Sequence, residues 1–126
     1  MTSEVLGFIA EKLEEINVDY EFGQWTTSPV PEPYFIGEYS ESPPTDESGL
    51  QETTFIITGT ARTWILLEQE KAKIESLFSK VGGLTAILEN HSGVAIFYEN
   101  AFNVPTGDAE LKRIQINLLV KEWSVN

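Results

Sequence analysis

Apolar residues in the first sixteen positions recur at helical spacing. Leu6, Ile9, Leu13 and Ile16 stand three, four and three residues apart, one stripe of an amphipathic helix. Glu11, Lys12, Glu14 and Glu15 fill the wet face. Thr2 or Ser3 can cap the helix, Glu4 sits where the macrodipole favours an anion, and Asn17 supplies a stop. The spacing predicts a helix over about residues 4–16. From Val18 the period shortens to two. Val18 to Thr26 alternates around Tyr20 and Phe22, Tyr34 to Glu41 reads as a second strand, and Gln51 to Arg62 as a long third. In that third strand Phe55, Ile57, Gly59 and Ala61 share one face, and Thr54, Ile56, Thr58 and Thr60 the other.

Pro29, Pro31 and Pro33 interrupt any ladder between the first two strands, because proline donates no hydrogen bond. Ser42 to Gly49 is a polar, turn-rich loop, so the second and third strands form a long hairpin with an acidic, proline-containing tip. A second helix starts at Thr63 or Trp64, with Leu67, Ile74, Leu77, Phe78 and Val81 on its apolar face. Glu68 and Glu70 near its start and Lys80 near its end complement the dipole, and Gly82-Gly83 ends it. Thr85 to Glu89 and Val94 to Glu99 flank the hairpin loop Asn90-His91-Ser92-Gly93. Asn103 to Asp108 is a further loop. Leu111 to Trp123 is the last strand, with Leu111, Ile114, Ile116, Leu118 and Val120 facing inward and Arg113 a candidate for that face. The expected fold is therefore α+β: a two-layer sandwich of a mostly antiparallel sheet against two helices, in the order α-β-β-β-α-β-β-β, one domain over residues 1–126.

Charge narrows the partners. The formal net charge is −12, and no Lys or Arg occurs between Leu13 and Ala61. That base-free stretch carries Glu14, Glu15, Asp19, Glu21, Glu32, Glu38, Glu41, Asp46, Glu47 and Glu52, with aromatic and β-branched residues throughout, so it reads as folded structure with a negative exterior. Phosphate backbones and anionic membranes would repel it. The N-terminus lacks a basic segment before its apolar residues, and no apolar run approaches the roughly 18 residues of a membrane span. Cysteine is absent, which removes disulfides and thiolate chemistry and fits a reducing cytoplasm.

No constellation points to catalysis. His91, the single histidine, falls in a predicted turn with no metal-ligand spacing around it. The carboxylates fall on solvent faces or loop tips, and Asp46-Glu47-Ser48 lacks the calcium-loop pattern. Gly82-Gly83 matches no phosphate loop, and the serines lack a nucleophile-elbow context. Trp25, Trp64 and Trp123 suit core or interface packing. The chain is expected to be no enzyme, with no catalytic residue, cofactor or metal.

Pro33-Tyr34-Phe35-Ile36-Gly37-Glu38 opens a strand, the acidic loop follows, and Thr53 to Arg62 leads into Trp64 and an amphipathic helix. With the helix in front and Ile114 to Trp123 behind, the chain resembles the tail terminator, or tail completion, proteins of long-tailed bacteriophages and prophages, minor structural proteins of the virion. The resemblance implies an α+β fold and a hexameric ring at the head-proximal end of the tail tube. There the ring would stop tube polymerisation and join the tail to the head connector or stopper. The hairpin over Thr85 to Asn100 is more elaborate than the simplest version of that fold, which leaves a neck or head-closure role open. The implied partners are copies of the chain, the tail tube protein and the connector, within a virion assembled in the host cytoplasm, with DNA passing unbound and no membrane involved. Candidate interface residues are Phe35, Tyr39, Trp64, Lys71, Lys73 and Arg113, with Lys112 and Lys121 as further basic residues; Glu41, Asp46, Glu47 and Glu52 are candidates for an acidic surface facing the channel or a partner. The rival expectation is an acidic inhibitor or adaptor that mimics DNA, which would need carboxylates spaced like phosphates.

Overall fold

The computed structural model describes residues 1–41, 50–79 and 81–123. The elements are α1 (Ser3–Glu15), β1 (Tyr20–Phe22), β2 (Tyr34–Glu41), β3 (Leu50–Ala61), α2 (Trp64–Leu77), β4 (Leu84–Ile87), β5 (Gly93–Asn103) and β6 (Lys112–Trp123). The tip of the β2–β3 hairpin, with Asp46 and Glu47, and Lys80, expected at the end of the second helix, lie outside the described residues.

All six strands join one sheet in the order β1-β2-β3-β6-β5-β4. The long hairpin has β2 against β3, pairing Tyr34 with Thr60 and Glu41 with Thr53. β3 then pairs antiparallel with β6 from Leu50–Trp123 to Ala61–Lys112. β1 is the exception, running parallel to β2 with Tyr20 beside Phe35. The expected two-layer, mostly antiparallel sandwich is thereby corrected: the sheet is mixed and curls into a half-barrel, and strands hold 44% of the described residues. Two features accompany the curl. Gly37 and Gly59 let aromatic rings lie directly on the backbone, and a bulge at Tyr98/Asn100 shifts the register of β5 against β6. The parallel β1 follows from its connection. The proline-rich stretch 23–33 crosses back to start β2 beside β1 instead of turning a tight hairpin.

The core lies on one face of this curl. Phe35, Phe55, Ile57, Ile96, Ile114, Ile116, Leu118 and Val120 meet Val5, Ile9 and Leu13 of α1 and Leu67 and Ile74 of α2, all essentially fully buried. Thr2 caps α1, its hydroxyl accepting from the Val5 N–H at 3.3 Å, and Asn17 ends it in the left-handed region with φ of 60°. Thr63 caps α2 by accepting from the Leu66 N–H at 3.4 Å. The expected dipole pairing at α2 does not occur: its first turn holds no acid and its last no base. Val81 and Leu111, expected to face inward, are exposed, because α2 stops at Leu77 and β6 starts at Lys112. Arg113 alternates with Ile114 and so stands on the outer face.

Candidate functional site

Solvent-exposed apolar residues gather toward both ends of the strands. At the Ala61–Lys112 end stand Trp64 and Ile65, and also Val30 and Leu111, which line a cleft of about 210 Å³ with Pro31, Glu32, Tyr34, Thr60 and Arg62. Glu32 holds this corner together. One carboxylate oxygen accepts from the Arg62 backbone N–H at 2.8 Å, and the other lies 3.9 Å from the Arg62 guanidinium. Arg113 donates from Nε to the buried Thr60 hydroxyl at 3.2 Å, its cross-strand partner. Toward the other end, Tyr39 stacks on Phe22 with centroids 5.9 Å apart, and Trp123 and Ile87 are exposed.

The outer face of the sheet carries a polar ladder. Gln115 donates to Asn117 at 3.0 Å, and Asn117 donates to Asn100 at 2.8 Å. Lys121 lies 5.9 Å from the centre of the Phe97 ring. The face mixes amides, threonines and half-buried Ile36, Ile56 and Leu119, the composition of a surface that can meet water or a polar partner.

The structure disperses the residues expected at interfaces. Phe35 is fully buried and belongs to the core, because its ring covers the cross-strand Gly59. Trp64 and Arg113 stand at one end of the sheet. Tyr39, Glu41 and Glu52 stand toward the other, where Glu52 faces Lys121 in register. Glu41 meets the Met1 amine, which also lies 3.6 Å from the largely buried Glu122. Lys71 and Lys73 sit on α2 and are held by Glu68 at 2.7 Å and Glu70 at 3.0 Å. Donating to the Glu68 carboxylate pushes the Lys71 ammonium above its usual range. Asp46 and Glu47 belong to the stretch outside the described residues. Ile65 and Ile87 were missed by the sequence reading, yet each carries a signal. Ile65 lies off the Leu67–Ile74 stripe, and Ile87 alternates away from Ala86 and the core.

Among the described residues no group of three His, Cys, Asp or Glu side chains is placed to hold a metal, and no helix is long and apolar enough to cross a membrane. His91 takes a left-handed turn conformation, φ 66°, between β4 and β5.

No protein-family profile matches the chain, and no curated protein matches it in sequence. The fold itself has a solved counterpart. A chain in the structure titled "Virion of native gene transfer agent (GTA) particle" superposes with a TM-score of 0.66 at 12% identity, covering 91% of this chain and 86% of that one. At that identity the likeness is one of fold.

Proposed function

We propose that this chain is a structural subunit of a phage-like virion, and within it a tail terminator. It would form a ring at the head-proximal end of the tail tube, end tube polymerisation and join the tail to the head connector. The observation that carries this reading is the shared fold with a chain of a gene transfer agent virion over 91% of the sequence. The sequence resemblance to tail terminators supplies the finer role.

The surface suits an assembly part. A subunit between two layers needs contact surfaces at both ends, and exposed apolar residues occupy both ends of the strands here. A ring of about six copies, each at −12, would surround passing DNA with negative potential and keep it from adhering. The role needs no catalysis, and we propose none.

Light scattering of the purified protein, alone and with purified tail tubes, tests the reading. A closed ring that caps tubes and fixes their length supports it. A protein that stays monomeric with tubes present, at low and high salt alike, overturns it. Rings that bind connector but not tube would move the subunit into the neck.

A further inference from the structure

The two edges of the sheet differ. The β1 edge has a loop tied to it: the Glu21 carboxylate accepts from the Thr26 hydroxyl at 2.5 Å and from the Thr27 N–H at 3.1 Å, holding that turn beside the strand. Among the described residues the β4 edge has no such loop. Leu88 N–H bonds to the Ser92 carbonyl at 2.9 Å, so alternation turns Leu84 and Ala86 toward β5 and leaves the backbone N–H and C=O of Thr85 and Ile87 facing outward. Ile87 beside them is 81% exposed.

Along this edge runs a groove of about 310 Å³ between β4 and α1. Phe8, Ala86, Ile87 and Leu88 give it an apolar lining, and Gly7 keeps it open, since a Cβ there would meet nothing within 4 Å. Glu4, Glu11 and Glu89 rim it. Among the described residues no cation pairs with any of the three; Lys12, one turn from Phe8, is taken by Glu15 at 3.2 Å.

We propose that the β4 edge and this groove bind an extended segment of another protein, alternating basic and apolar residues, which adds a strand to the sheet. Unpaired backbone groups supply the affinity of such an added strand, and neighbouring side chains its selectivity. The acidic rim selects the occupant. A second copy of this chain fits poorly, because its described cations already have partners: Arg62 stands with Glu32, Lys71 with Glu68, Lys73 with Glu70 and Lys121 opposite Glu52, while Lys112 donates to the Ala109 carbonyl and Arg113 to the Thr60 hydroxyl. The inference does not depend on the virion reading.

A short peptide of alternating valine and lysine is the probe, read by calorimetry and by amide exchange of the full chain. The expected result is binding that protects the Thr85 and Ile87 amides. Binding should weaken about tenfold when a proline replaces the central valine of the peptide at constant charge, the equivalent of losing one or two main-chain hydrogen bonds. E4Q/E11Q/E89Q should weaken it at least as much, while E75Q/E99Q/E110Q, which removes equal charge elsewhere, should leave it within about twofold. Thr85→Pro removes one outward N–H at an edge position that tolerates proline, and should weaken binding with the melting temperature retained. Equal binding of the proline-containing peptide, equal losses from the two triple variants, or protection confined to other strands would each overturn the proposal.

Discussion

The Phe35 ring lies against Gly59, its antiparallel partner across β2 and β3. A Cβ added at residue 59 would stand 2.2 Å from a ring carbon. Phe35 is fully buried and cannot swing away without leaving the core. Gly59→Ala should therefore destabilise the protein by about 2–3 kcal/mol, the upper part of the overpacking range. Gly59→Ala with Phe35→Leu should recover part of that loss in a chemical denaturation series, because the smaller side chain vacates the position of the methyl group. If Gly59→Ala unfolds at the wild-type midpoint, the close approach is wrong.

That contact also marks how far the sequence could be read. Alternation in β3 assigned Phe55, Ile57, Gly59 and Ala61 to one face, and those residues are buried. Period-two patterning reports which side a residue faces. It does not report strand direction, so the parallel placement of Tyr20–Phe22 and the curl of the sheet were not legible. Phe35 looked available for a partner because a strand with one buried face does not reveal which ring its neighbour's glycine will receive. The edge groove was hidden for a similar reason: Phe8 and Ile87 are far apart in sequence and meet only through the topology.

Tyr20 carries a consequence for alkaline stability. Burial alone pushes its phenol up to about 12 from 10.0, and its hydroxyl lies over Gly37, at 2.6 Å from where a Cβ would stand. A raised folded value means the neutral form is favoured by folding. That stability is complete below pH 10 and is lost as pH rises toward about 12. The gap in melting temperature between wild type and Tyr20→Phe should shift in favour of the variant across this window and stay constant below it. A gap that does not change with pH would show that Tyr20 ionises freely.

Glu21 acts at the opposite end of the pH scale. Hydrogen bonds, the Thr26 hydroxyl first, hold its carboxyl below the usual 4.5. A lowered folded value gives an ordering contribution that is present above 4.5 and lost as pH falls through the folded value. The Trp25 indole donates to the Thr27 carbonyl at 2.7 Å, so Trp25 reports on this turn. Acidification should change the indole fluorescence before the sheet unfolds, and Glu21→Gln should show the altered signal at neutral pH with little change in melting temperature. An early fluorescence change that persists unaltered in Glu21→Gln would assign the transition to another group.

Trp64 and Ile65 open α2 at the Ala61 end of the sheet, 39% and 69% exposed. Neither side chain contributes to the buried core. Substitutions at such positions ordinarily change stability by no more than about 0.5 kcal/mol. Trp64→Glu with Ile65→Glu should thus melt near the wild-type temperature, Thr63 still capping the helix. If this end contacts a neighbouring subunit or the next layer of the virion, the same pair should abolish ring formation, since two carboxylates would be buried against an apolar surface. Analytical ultracentrifugation and tube-capping assays read this directly. A double variant that folds and still assembles at the wild-type concentration would move the contact to the Tyr39–Phe22 end, where Tyr39→Glu becomes the decisive change.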